Sequence, residues 1–124
     1  MDRKRTGSIA EEKAAAEYIK KGYVILCRNF YCRTGEIDII AKNTAFLVFC
    51  EVKYRATLTF GSGAQAVTKT KIRRIIRAAK EYLYIKSLDL SELQPRFDVA
   101  VVTKESLEII ENAFGVDEYE NQPV

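Results

Sequence analysis

Residues 35–53 read GEIDIIAKNTAFLVFCEVK, the most apolar stretch of the chain. Two runs rich in Ile, Val, Leu and Phe flank a short polar KNT, a pattern that reads as two adjacent, largely buried strands of an antiparallel hairpin. Yet Glu36, Asp38, Glu51 and Lys53 stand inside these runs. A carboxylate withdrawn from water must be protonated, paired with a cation or bound to a metal. Any fold this chain adopts must therefore supply such a remedy at the hairpin. Side chains alternate along a strand, so Glu51 and Lys53 share a face with Leu47 and Phe49, and Glu36 and Asp38 share one with Ile40. A connection spanning Lys42–Ala45 would pair Ile40 with Leu47, Asp38 with Phe49 and Glu36 with Glu51. All four charges then fall on one side of the sheet, with Asp38 a diagonal neighbour of Glu51.

The flanking sequence supplies helices and further strands. Residues 1–6 (MDRKRT) read as a basic arm, and Ser8 with Glu11 forms a capping-box pattern at a helix start. Ala14, Ala15, Tyr18 and Ile19 recur at helical spacing, and Gly22 ends the helix. YVILCRNF reads as a first strand, ahead of the hairpin. A Gly-, Ser- and Thr-rich loop, 56–66, leads into a helix expected from Gln65 to Lys86, with Ile72, Ile75, Ile76, Ala79, Tyr82 and Leu83 as its apolar stripe. RFDVAVVT and SLEIIENAF read as two more strands. The order α-β-β-β-α-β-β predicts an α/β fold, a mixed central sheet of about five strands flanked by helices. One domain is expected over 1–114, followed by an acidic mobile tail over 115–124.

Composition narrows the chemistry. The chain of 124 residues has no histidine, which removes Ser-His-Asp triads, Cys-His pairs and histidine bases. Its three cysteines, Cys27, Cys32 and Cys50, read as reduced, small apolar residues. The opening MDRKRTGSIAEEK lacks the apolar core of a secretory signal and no run reaches membrane-spanning length, so a cytoplasmic protein without a membrane partner is expected. Residues 1–86 hold eighteen Lys/Arg against eight Asp/Glu, whereas residues 87–124 hold two against nine. So basic a first two-thirds attracts polyanions. Lys69, Arg73, Arg77 and Lys80 follow one flank of the second helix, a row suited to several phosphates.

The hairpin carboxylates suit a hard divalent cation, since Mg²⁺ takes one or two carboxylates and keeps several waters. An acid on one strand followed by acid-x-Lys on the next resembles the core of the PD-(D/E)XK nucleases, with Asp38 in the first place and Glu51-Val52-Lys53 supplying the rest. Ile37 replaces the proline of that pattern. GSIAEEKAAAEYI, GYVILCRNF, GEIDIIA, LVFCEVKYR, FGSGAQAV and RFDVAVV, in this order, are together similar to the YraN family of bacterial proteins, related to Holliday-junction resolvases.

That resemblance implies a restriction-endonuclease-like core and a Mg²⁺- or Mn²⁺-dependent endonuclease acting on branched or structured DNA. Asp38 and Glu51 would hold metal, joined by the Val52 carbonyl, and Lys53 would complete the catalytic set. Glu11 matches a glutamate that enters the site from the first helix in related resolvases, although it could instead complete the capping box with Ser8. Glu36 is expected to support the site, as a ligand or paired with Arg28 or Arg55. Gln65 and Lys71 match the family's loop-helix segment, Gln65 supporting the site and Lys71 joining the nucleic-acid contacts. Resolvases cut two strands symmetrically, so a homodimer is implied. Asp98 reads as a structural carboxylate, buried beside Arg96 or the helix. Two other functions stay open: a non-catalytic nucleic-acid-binding module of the same fold, and a protein-interaction module that uses the acidic C-terminal third.

Overall fold

The apolar run after the polar KNT becomes the central strand of a five-stranded sheet. The computed structural model describes residues 3–56, 67–88 and 90–116. Its elements run α1 (Arg3–Lys20), β1 (Val24–Cys32), β2 (Gly35–Lys42), β3 (Phe46–Tyr54), α2 (Lys69–Lys86), β4 (Gln94–Val102) and β5 (Leu107–Phe114). The spatial order is β1-β2-β3-β4-β5. All neighbours are antiparallel except β3 and β4, which run parallel. A parallel pair needs a long crossover, and α2 lies in it. The expected α/β architecture and element order are what is found.

Two cores, one on each face of the sheet, explain why β3 is apolar throughout. Leu47 and Phe49 pack with Ile72, Ile75, Ile76 and Tyr82 of α2. Val48 and Cys50 pack with Ala14, Ala15 and Tyr18 of α1. Each fully buried Ile, Leu or Phe contributes about 1.5–3 kcal/mol relative to exposure. The small Ala14 and Ala15 let α1 lie close on the sheet, and Tyr18 donates a hydrogen bond of 2.7 Å to Asp98 Oδ2. After α1, Tyr23 N–H bonds the Tyr18 carbonyl and Gly22 N–H the Ile19 carbonyl. This is a Schellman closure, which the positive φ of Gly22, 95°, permits.

Both helix starts differ from the expected ones. α1 begins at Arg3, so Ser8 lies inside the helix and the Ser8–Glu11 capping box does not form; part of the expected basic arm is helical. α2 begins at Lys69 rather than Gln65, because the Thr68 hydroxyl caps it by accepting from Lys71 N–H. Most of the Gly-rich loop, with Gln65, and residues 117–124 of the expected tail lie outside the described residues.

The hairpin register is displaced by two residues. Ile39 faces Cys50, Ile40 faces Phe49 and Lys42 faces Leu47. The cause is Asn43, whose Oδ1 accepts from the amides of Ala45 and Phe46 at 2.9 and 2.7 Å. That turn pulls the connection to Asn43–Phe46. A two-residue shift preserves the faces of the paired residues. The ladder, however, stops at Ile39–Cys50.

Candidate active site

Where the β2–β3 ladder ends, the carboxylates converge. Ile37 belongs to the core under α2 and Ile39 to the core under α1, so strict alternation fails at the intervening Asp38. Across β1, Asn29 takes a left-handed φ of 53° between the Arg28–Ile39 and Phe30–Ile37 pairs. The expectation of four charges on one regular face is corrected accordingly: they gather at a break in the ladder. Asp38 spans that break, its Oδ2 accepting Val52 N–H at 2.8 Å. Val52 is thus tied to the site through its amide.

Glu51 projects toward α2, on the face of Phe49, and its side chain is only 4% exposed. Its Oε1 lies 3.4 Å from Lys53 Nζ and 3.7 Å from Lys71 Nζ. Its Oε2 is buried without a hydrogen-bond partner. Lys71 Nζ also lies 3.8 Å from Glu36 Oε1. Glu36 therefore pairs with Lys71 rather than with Arg28, which is engaged with Glu12 at 2.7 Å. Glu11, from α1, completes the group: the charges of Asp38 and Glu36 act on it, and the Asn29 side chain lies close enough to oppose them.

The electrostatics follow from burial and crowding. Burial pushes the Glu51 carboxyl up to about 7, helped by the Asp38 charge and opposed by Lys71 and Lys53. Burial also raises Asp38; the Val52 bond opposes this, Glu36 adds to it, and Lys71 and Lys53 counter it. Burial raises Glu11 too, reinforced by Asp38 and opposed by Arg28. Each carboxyl is thus harder to ionise than in water, as expected for like charges sharing a partly dry site. Among the described residues no three His, Cys, Asp or Glu side chains form a protein-only metal cage.

The structure brings together Glu11, Glu36, Asp38, Glu51, Val52 and Lys53. It adds Lys71, which the sequence reading placed among phosphate contacts. The signal for Lys71 was Thr68: a Thr N-cap puts Lys71 in the first helical turn. Asn29 was missed, since nothing in a strand-like YVILCRNF announces a left-handed residue. Lys69, Arg73, Arg77 and Lys80 are exposed on α2, clear of its buried stripe. Asp98 lies apart from the site, held by Arg96 through two bonds of 2.9 Å and by the Asn112 amide at 3.0 Å.

Fold and site together define an α/β domain with a half-buried acidic cluster, centred on the buried Glu51 and bridged by lysines, at the end of a central strand. A family model described as "Uncharacterised protein family UPF0102" matches residues 10–102, from α1 through β4. A UPF0102 protein of Lachnoclostridium phytofermentans is 46% identical, over 92% of this chain and 96% of that relative. One from Saccharophagus degradans is 42% identical over 91% and 95%, and one from Desulfosudis oleivorans 47% over 86% and 87%. The chain belongs to the UPF0102 family, the YraN grouping that its motifs resemble.

Proposed function

We propose that the chain is a divalent-metal-dependent nuclease that hydrolyses phosphodiester bonds of branched or otherwise structured DNA. The observation that carries this reading is Glu51: a carboxylate almost wholly withdrawn from water, with one oxygen lacking any partner. Left metal-free, that oxygen represents a desolvation cost of roughly 1–3 kcal/mol or more. Glu51 belongs to a cluster of four carboxylates and two ammonium groups: Asp38, Lys53 and Lys71 act on it directly, Glu36 pairs with Lys71, and Glu11 is coupled to Asp38 and Glu36. Fully ionised, the cluster carries a formal charge of −2, which one divalent cation neutralises. Mg²⁺ needs only one or two protein carboxylates because it keeps its waters, so the lack of a three-ligand cage does not oppose the reading.

Asp38 and Glu51 would hold the cation, with Glu11 as a further candidate from α1. A bound Mg²⁺ or Mn²⁺ would supply Lewis acidity and lower the pKa of its water. Lys53, 3.4 Å from Glu51, would orient the attacking water or stabilise charge that builds on the phosphate oxygens. Lys69, Arg73, Arg77 and Lys80 offer the backbone contacts that position a polyanion without reading its sequence. The PD-(D/E)XK pattern at Asp38, Glu51 and Lys53 supports this assignment.

The test is to incubate the purified protein with labelled four-way junction, flap, single-stranded and linear duplex DNA, in Mg²⁺, Mn²⁺ or EDTA. Metal-dependent cuts on branched substrates that vanish in Lys53→Ala and Asp38→Ala are expected. Tight, salt-sensitive binding without cuts would replace this reading by a non-catalytic binding module, and cuts that persist in both variants would remove these residues from the chemistry.

A further inference from the structure

α2 opens with two lysines in its first turn, Lys69 and Lys71, and has no acidic residue there. This opposes the helix dipole, whose positive end disfavours cations. A local rule broken in this way points to a compensating function. For Lys71 the compensation is visible, since its ammonium lies 3.7 Å from Glu51 and 3.8 Å from Glu36. The backbone holds it there from two sides. Thr68 Oγ1 accepts from Lys71 N–H at 3.2 Å. Gly35, at the start of β2, lies so close to α2 that a Cβ there would stand 2.7 Å from the Arg74 carbonyl oxygen. The N-terminal half of α2 is therefore drawn down onto the strand that carries Glu36 and Asp38.

The two lysines are not equivalent. Lys53 shares a strand and a face with Glu51, so its position is set by β3 itself. Lys71 comes from a separate element on a flexible four-carbon stem, and its side chain is 29% exposed. It can turn toward water without any change in the sheet.

We propose that Lys71 is a resident counter-cation that competes with the divalent metal for Glu51 and thereby sets how tightly the metal binds. The proposal rests on the metal-site reading above. With Lys71 in place the ionised cluster carries −2; without it, −3. A metal arriving at Glu51 meets an ammonium already within ion-pair distance of the same carboxylate, and like charges this close in a partly dry site repel strongly. Metal entry therefore requires the Lys71 ammonium to swing away, and its removal favours the metal.

The experiment measures Mg²⁺ binding directly, by titration of backbone amide shifts and by the Mg²⁺-dependent rise in melting temperature. It compares wild type, Lys71→Ala, Lys71→Arg and Glu51→Gln at about pH 8.5, where Glu51 is largely ionised. Lys71→Ala is expected to bind Mg²⁺ about tenfold more tightly or better than wild type. Lys71→Arg, which keeps the charge, stays near wild type, and Glu51→Gln, which removes the contested carboxylate, binds Mg²⁺ more weakly than wild type. A lysine that merely braced the fold would not tighten metal binding when removed. Equal or weaker binding by Lys71→Ala overturns the proposal while leaving the metal site standing. Absence of Mg²⁺ binding in both wild type and Lys71→Ala overturns the metal site, and the role of Lys71 with it.

Discussion

Asp38 Oδ2 accepts the Val52 amide hydrogen at 2.8 Å, so a side chain of β2 takes up a backbone donor of β3 just beyond the last ladder pair, Ile39–Cys50. Continued regularly, that register would bring Asp38 opposite Glu51. Instead the strands part there, and the break lets carboxylates from α1, β2 and β3 meet two lysines.

Asp38 thus has two separable duties, as a backbone acceptor and as a charge. Asp38→Asn keeps an acceptor oxygen and relieves repulsion from Glu36. It should melt at or above wild type while losing metal-dependent activity. Asp38→Ala strands the Val52 amide and should fall about 1–3 kcal/mol below Asp38→Asn in urea denaturation. Equal stability of the two variants would show that the bond to Val52 carries no weight.

Stability in EDTA should fall as pH rises. The Glu51 carboxyl is raised from 4.5 to about 7 by burial and by Asp38. Its folded state therefore binds the proton more tightly than its unfolded state. That contribution is fully present below the unfolded value of 4.5 and is lost as pH climbs through about 7. The difference is on the order of 3 kcal/mol, and the upward shifts of Asp38 and Glu11 act in the same direction. Metal-free melting curves should show wild type losing stability between about pH 5 and 8, with a flatter profile for Glu51→Gln. A wild-type profile as flat as that of Glu51→Gln would contradict the assignment.

The second buried carboxylate is structural. Asp98 is wholly buried, and its oxygens accept from Arg96, the Tyr18 hydroxyl and the Asn112 amide, joining β4 to α1 and β5. Asp98→Ala leaves the buried Arg96 guanidinium with only the half-exposed Glu111 carboxylate, 3.5 Å away, and strands the Tyr18 hydroxyl and the Asn112 amide; it should cost about 3–5 kcal/mol. Chemical denaturation measures this directly, and a loss under 1 kcal/mol, roughly the worth of an exposed pair, would contradict it.

The element order, the apolar stripe of α2 and the structural role of Asp98 were legible because each follows from a short-range pattern. Ile72, Ile75, Ile76, Ala79 and Tyr82 recur at helical spacing and are buried by α2, which also buries Ala78 and leaves Leu83, the last residue of the expected stripe, half-buried. The hairpin register was not legible, because it depends on Asn43 turning its side chain onto two amides. Nor was the start of α1: propensity at Arg3–Gly7 offers no cap, and the helix simply runs past Ser8. Asp38, Glu51 and Lys53 were found because charges in a buried strand demand explanation. The pairing of Lys71 with Glu36 and Glu51 was not legible, because a lysine on a basic helix reads as surface until the neighbouring strand is known, and the contact across Gly35 that draws α2 down is a tertiary fact.

The basic flank of α2 makes its own prediction. Arg73 and Arg77 are exposed on the helix face opposite its buried stripe. Replacing each by alanine should weaken DNA binding uniformly across sequences and reduce the slope of log affinity against log salt by about 1 per residue. Fluorescence anisotropy across a salt series measures it; an unchanged slope would place the DNA on another surface.

The central claim is that Glu51 is buried in order to hold a metal ion, and Glu51→Gln tests it most directly. The amide preserves shape and removes the charge that burial makes costly. Four-way-junction cleavage in Mg²⁺ should disappear in this variant, while its melting temperature in EDTA at about pH 8 should rise above wild type. Cleavage at the wild-type rate by a folded Glu51→Gln protein would contradict the account.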